Sequence, residues 1–198
     1  MTAPVPRLVR ASDAAEDARL VAAAASGDRQ AFADLYRRHL GAVYARLTRV
    51  VGPVAERDDL VQHIFLDVYR ALPRFRGDAA FTTFLHRIVL NVACEHLERH
   101  RRGRSEPLDD RQLETLMTAG ASPEQQARHR QDLRRLFDRL DGLSAKRRAT
   151  FVLVAVEGMS LDEAAALLGA NVPAVKQRVL EARRELAKAL DREPKEST

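Results

Sequence analysis

The sequence predicts an all-α protein of two small helical domains joined by a flexible linker. Three observations carry this. Apolar residues recur every three and four positions over long stretches, the repeat of a helix face. The β-branched run FVLVAVEG at 151–158 would suit a buried strand, but a lone strand forms no sheet, so it is assigned to a helix. Residues 105–127 hold five acids, one arginine and two prolines between two basic regions, the composition of a connector. The expected division is a tail over 1–19, a first domain over 20–101, a linker over 102–122, a second domain over 123–190 and a tail over 191–198.

The first domain reads as three helices. In AFADLYRRHLGAVYARLTRVV, Phe32, Leu35, Tyr36, Leu40, Val43, Leu47 and Val50 line one face, and Gly52–Pro53 breaks the chain after it. ERDDLVQHIFLDVYRAL resumes with Leu60, Ile64, Val68 and Leu72, and Asp58 and Asp59 stand at its start, where the helix dipole favours acids. Pro73 and Gly77 end it. TTFLHRIVLNVACEHLERHRR follows, with Phe84, Leu85, Ile88, Val92 and Leu97 expected on its inner face.

In the second domain Pro123 opens a helix that runs to about Leu140. The stretch EGMSLDEAAALLGANVPAVKQRVLEARRELAKAL (157–190) then holds two helices on a short turn. Ser160 and Glu163 fit a capping box. Gly169 permits the sharp turn, Asn171 caps the next helix, and Pro173 sits in its first turn, where a missing N–H costs little. Small Ala165 lets the helices approach, and Val175, Val179, Ala182 and Leu186 face inward. This spacing is that of a helix-turn-helix. Side chains early on its second helix reach base edges in the major groove, and cations farther on meet phosphates. The plainer alternative is an ordinary helical hairpin with a solvated basic face.

Composition narrows the partners. The 198 residues carry a net charge of +5, which permits a polyanionic partner. The charge is uneven: eight arginines face three acids over 70–104, and six cations face three acids over 171–192. Cys94 is the only cysteine, which excludes an intramolecular disulfide and a cysteine-built zinc cluster. No segment has the length and apolarity of a signal peptide or a bilayer span, so a cytoplasmic location without membrane insertion is expected. His96 and His100 have i, i+4 spacing near Cys94, yet no acid completes a metal-ligating motif. No glycine loop or Ser–His–Asp arrangement suggests catalysis. The expectation is a non-enzyme with no metal, no cofactor and no small-molecule substrate.

Four segments, in order, resemble the extracytoplasmic function (ECF) group of the sigma-70 family of bacterial RNA polymerase sigma factors. GDRQAFADLYRRHLGAVYARL, RDDLVQHIFLDVYRAL and RFRGDAAFTTFLHRIVLNVACEHLERHRR resemble successive parts of region two. LDGLSAKRRATFVLVAVEGMSLDEAAALLGANVPAVKQRVLEARREL resembles region four. The likeness covers about residues 20–190, and the lack of a middle domain marks the ECF group. It implies a sigma region 2 helical bundle and a sigma region 4 helix-turn-helix that bind core RNA polymerase and promoter DNA, under control of an anti-sigma factor.

The resemblance also implies roles for residues. Asp59, Leu60, Gln62, Phe65 and Leu66 match the motif that docks on the polymerase clamp helices, with His63 where an acid is common; Phe65 and Leu66 are also readable as core. Arg74, Phe75, Arg76, Gly77, Asp78, Phe81, Arg87 and Asn91 match the part that captures an unstacked base of the minus-ten element. There aromatic rings stack on bases and arginines meet phosphates. Phe84 stands where the family often has Trp and is assigned to the core; Phe81 is readable as platform or core. Asn171, Ala174, Lys176, Gln177, Arg178 and Arg183 match the positions that read the minus-thirty-five element. Ala174 replaces a common Thr. Glu181 stands where a basic residue is frequent, and either repels a phosphate or accepts from a cytosine amine. The 21 residues of the linker reach at most about 70 Å, roughly two turns of DNA. The alternative is a helix-turn-helix regulator that binds a palindrome as a dimer without polymerase; it leaves the Arg- and Phe-rich loop at 74–82 without a task.

Overall fold

A computed structural model describes residues 11–102 and 123–192. These residues hold eight α-helices and, among them, no strand: α1 (Ala11–Ala25), α2 (Arg29–Val51), α3 (Arg57–Ala71), α4 (Phe81–Arg102), α5 (Pro123–Asp141), α6 (Ala145–Phe151), α7 (Leu161–Leu168) and α8 (Val172–Arg192). The linker expected over 102–122 lies, after its first residue, outside the described residues, as do residues 1–10 and 193–198.

Contacts divide the chain into two units. The first comprises residues up to Arg49 together with Glu56–Ala93; the second comprises Val50–Ala55 and the chain from Cys94 onward. The second unit therefore takes in a short turn and the end of α4 besides the 123–190 segment expected from sequence.

In the first unit, α1 takes in residues 11–19 of the expected N-terminal tail. Asp17 is buried there and lies 2.8 Å from the Arg38 guanidinium. Leu20, Val21 and Ala24 are buried one to two turns later. A paired acid and an apolar stripe thus make a fourth helix of what composition alone presented as a tail. Leu35, Val43 and Leu47 of α2, Ile64 and Val68 of α3, and Leu85 and Val89 of α4 supply the interior. The inner face of α4 is rotated from the expected one. Phe81, Leu85, Val89, Val92 and His96 are buried, whereas Phe84, Ile88 and Leu97 are only half-buried. Val89, omitted from the expected face, completes a seam spaced four, four and three.

The second unit is organised around α8. Ala182 joins Phe137, Leu140 and Leu143 in one buried cluster, flanked by Leu133, Phe151 and Leu186. The run at 151–158 is helical as expected, but α6 widens into a π-helical turn over Val152–Val156. The Glu157 N–H donates to the Val152 carbonyl five residues back at 2.9 Å. A π turn holds one extra residue, so Val152 and Leu153 stay buried while Val156 is turned to solvent.

Arg148 is 1% exposed, the deepest charge in this unit. Its guanidinium donates to the carbonyls of Val50 and Val51, the latter at 2.9 Å, pairs with Asp141 and lies over the Phe137 ring. Those carbonyls end α2, where a helix has no partners of its own. Burial lowers the Arg148 pKa and the Asp141 carboxylate opposes that shift. Nothing in AKRRATF marks Arg148 out from its basic neighbours.

Candidate nucleic-acid interface

The connection between α3 and α4 builds a pocket. Leu72–Arg74 forms one 3₁₀ turn with Pro73 inside it, and Leu72 is anchored in the core. Gly77 has φ +77° with open space where a Cβ would stand, so the backbone conformation and not crowding calls for glycine there. The chain then re-enters a helix at Phe81. The result is an open pocket of about 460 Å³ lined by Arg74, Phe75, Arg76, Asp78, Phe84 and Arg87, with Ala71, Ala79 and Thr83 between them.

Two phenylalanines line it and a third supports them. Phe75 and Phe84 lie 4.8 Å apart, ring centroid to centroid, and both line the pocket. Phe81 stands edge-on to Phe75 at 6.3 Å, 6% exposed and packed on His39. The sequence assignment of Phe84 to the core is therefore corrected: Phe84 lines the pocket, and Phe81 is the buried ring that supports it. The packing of α4 explains the two positions. Phe81 is the first residue of α4 and points into the bundle, which leaves position 84 at the mouth. Asn91 is exposed on α4, one turn beyond Arg87 and outside the pocket. His86 adds no charge here, since burial pushes its pKa down to about 3, helped by Arg46 and His39.

Helix α3 sorts its five candidate residues by burial. Leu60 and Phe65 are core, Phe65 against the Tyr36 ring at 4.5 Å. Asp59, Gln62 and Leu66 are exposed, Leu66 at 46%. Tyr69, not singled out from sequence, is exposed one turn on at 43%. Together Leu66 and Tyr69 make an apolar spot beside polar Gln62, His63 and Asp59.

The helix-turn-helix is closed by short-range bonds. Ser160 Oγ accepts from the Glu163 N–H at 3.2 Å, and the Ser160 N–H donates to Glu163 Oε2 at 2.9 Å. The Ser160 N–H, and then the Ser160 hydroxyl donating to Oε2 at 2.8 Å, hold the Glu163 carboxyl below its usual range. Gly169 takes the left-handed conformation at φ +59°, and the Ala174 N–H donates to Asn171 Oδ1 at 2.8 Å. Asn171 thus spends its acceptor on the helix it starts. Val175, Val179 and Ala182 are buried; Lys176, Gln177 and Arg183 are exposed; Ala174 and Arg178 are half-buried.

Glu181 is not the bare acid that the sequence suggested. Its Oε1 accepts from Gln177 Nε2 at 2.8 Å, and its Oε2 accepts from Arg147 Nε at 2.8 Å. Gln177 first, then Arg147, hold its carboxyl below the usual range. Arg147 also donates through Nη1 to Glu185 at 2.8 Å, which ties α6 to two turns of α8. Sequence reasoning missed Arg147, because its partners lie more than thirty positions away.

Cys94 does not join the histidines nearby. Its thiol faces the Ala145 carbonyl at 3.8 Å, and burial pushes its pKa up to about 11, so it stays protonated at neutral pH. No helix among the described residues is long and apolar enough to cross a membrane.

Both the pocket and the helix-turn-helix fall within segments that match known family models. The family model of Sigma-70 region 2 matches residues 35–103, and that of Sigma-70, region 4 matches residues 133–186. RNA polymerase sigma factor CnrH of Cupriavidus metallidurans is 40% identical over 182 residues, 88% of this chain and 94% of that one. ECF RNA polymerase sigma factor SigM of Mycobacterium tuberculosis is 35% identical over 175 residues, covering 88% and 84%. The solved structure of CnrH in complex with the cytosolic domain of CnrY aligns with a TM-score of 0.62 at 33% identity, over 90% of this chain and 99% of that one.

Proposed function

Since this chain belongs to the ECF group of the sigma-70 family of bacterial RNA polymerase sigma factors, we propose a division of labour among its surfaces. As a sigma factor it binds core RNA polymerase and directs it to promoters, under control of an anti-sigma factor. The pocket between α3 and α4 takes an unstacked base of the minus-ten element. The helix-turn-helix reads the minus-thirty-five element. Asp59, Gln62 and Leu66 meet the polymerase clamp, while Leu60 and Phe65 hold that helix from within. The protein acts in the cytoplasm and carries no catalytic step of its own; the bond-forming chemistry of initiation belongs to the polymerase.

The observation that carries this reading is the pocket at 74–87. Extruding a base costs a few kcal/mol of lost stacking. Phe75 and Phe84 offer apolar ring faces there, each worth about 1–3 kcal/mol to a stacked base. Arg74, Arg76 and Arg87 line the same pocket, and they are the cations available to the strand's phosphates. The related CnrH is seen in complex with the cytosolic domain of CnrY, which supports an inhibitory partner for this chain as well. Its natural target is the exposed spot of Leu66 and Tyr69.

Run-off transcription tests the reading. Purified chain and core polymerase are combined on a template carrying the gene's own upstream region. A discrete transcript is expected, reduced when Arg74 and Arg76 are both changed to Ala and partly recovered on a template already unpaired at the minus-ten element. Absence of a transcript, where another sigma factor supports one on its own template, overturns it.

A further inference from the structure

Resting on the reading of α8 as the helix that enters duplex DNA, we propose that Gln177 selects an adenine in the upstream promoter element, and that Glu181 and Arg147 are the positioning residues that aim it. The argument starts from the carboxylate. An ionised carboxylate only accepts hydrogen bonds. The Gln177 group 2.8 Å from Glu181 Oε1 is therefore its NH₂ and not its carbonyl, and the amide cannot be turned over without losing that bond.

Glu181 is itself held. Its second oxygen takes both Nε and Nη2 of Arg147, each at 2.8 Å, and the third arm of Arg147 takes Glu185 at 2.8 Å. All three charged side chains are about one-third exposed. A lone surface pair is worth little, but a network with a forked guanidinium orders its members.

This arrangement has two consequences for recognition. With three of its roughly four acceptor sites engaged, Glu181 is turned toward Gln177 and Arg147, and Arg147 offsets part of its charge toward a phosphate. Gln177, exposed in the N-terminal half of α8, is left with its carbonyl and one N–H. An amide has one N–H beside its carbonyl and one pointing away. Bonding Glu181 through the latter keeps the O=C–N–H edge whole. That edge matches adenine in the major groove, accepting from N6 and donating to N7. Guanine offers only acceptors on that edge, so it meets the Gln177 carbonyl with its own O6.

The test uses holoenzyme assembled from core polymerase and the full chain, on templates randomised across the upstream element, with transcripts counted by sequencing. Wild type is expected to favour adenine at one position by about 10-fold or more, the size of a good bidentate contact. Gln177→Ala flattens that position and leaves the others. Glu181→Ala flattens the same position with the remaining preferences intact, and the double variant is no flatter there than Gln177→Ala alone. Thermal melting followed by circular dichroism confirms that Glu181→Ala remains helical. A Glu181 role in folding alone would lower transcription from all templates together. The proposal is overturned if the adenine preference survives Glu181→Ala, or if the position altered by Gln177→Ala favours another base. A wild-type holoenzyme silent on every template removes the reading of the chain as a promoter reader, and the proposal with it.

Discussion

The pocket at 74–87 and the turn at 160–174 are both proposed to meet promoter DNA, and they are built by opposite means. The turn of the helix-turn-helix is closed by bonds between residues three to five apart: Ser160 with Glu163, Ala170 with Ala165, Asn171 with Ala174. The pocket depends on which of three rings enters the bundle, and only the packing of α4 against its neighbours decides that. Local chemistry leaves a trace in consecutive letters. A surface set by tertiary packing leaves only a composition, here arginines and phenylalanines around a glycine.

Arg148 is where that contrast is weakest, and it carries the largest expected effect. It belongs to the unit with the locally closed turn, yet its partners at Val50 and Val51 are almost a hundred positions away. Arg148→Met keeps the stem over Phe137 but leaves two carbonyls without donors. The expected loss is about 1–3 kcal/mol for each of the two carbonyls, roughly 2–6 kcal/mol of stability in all, read as a fall in the urea midpoint. A midpoint unchanged within error would mean that water reaches those carbonyls as well as the guanidinium does.

The pocket gives the next effect, and it sharpens the contrast by separating two neighbouring rings. Phe84→Ala removes a lining ring and Phe81→Ala a buried one. Losing one stacked base contact of about 1–3 kcal/mol lowers transcription by Phe84→Ala holoenzyme roughly 10- to 100-fold, with little change in the melting temperature of the free chain. Phe81→Ala costs about 3 kcal/mol or more of stability and loses transcription because the bundle loosens. Equal melting temperatures for the two variants would contradict the placement of Phe81 in the core.

The same contrast shows what was readable beforehand. Helix boundaries from Arg29 to Ala71, the capping box, the Gly169 turn and the inward Val175, Val179 and Ala182 follow from period and end signals that act within a few residues. Three things did not follow. Helix α1 depends on Asp17 finding Arg38, a partner twenty-one positions on. Phe84, assigned to the core, lines the pocket, and Phe81, left open between platform and core, is the buried ring, because the packing of α4 decides which ring faces in. Glu181 read as an exposed acid because Arg147 stood too far off in sequence to be paired with it. In each case the deciding interaction is non-local, and amino-acid spacing carries no record of it. The residues on α3 divide likewise: period predicts that Leu60 is inside, but only the packed bundle shows Phe65 buried and Leu66 out.

Gly169 offers a smaller and purely local effect. Its φ of +59° lies in the left-handed region, and a Cβ there would meet nothing within 4 Å. Only the backbone preference is at stake, so Gly169→Ala is expected to cost about 1 kcal/mol, seen as a small drop in urea midpoint with transcription retained. A larger loss would mean that the turn is constrained by more than its own conformation.

The capping box gives the smallest effect, and its pH dependence has a definite sign. Ser160→Ala removes the acceptor for the Glu163 N–H, at a cost of about 1 kcal/mol near neutral pH. Glu163 also loses the hydroxyl that helps hold its carboxyl below the ordinary value of 4.5. A carboxyl lowered in the folded state contributes stability that is present in full above its unfolded value and is lost as pH falls through the folded one. The gap in urea midpoint between wild type and Ser160→Ala should therefore be constant from pH 7 down to about 5. Below 4.5 it should narrow, as Glu163 takes up a proton and its half of the reciprocal pair weakens. A gap that stayed the same at pH 3 would assign the cap to the serine hydroxyl alone, and the turn would then be held by one local bond where two are drawn.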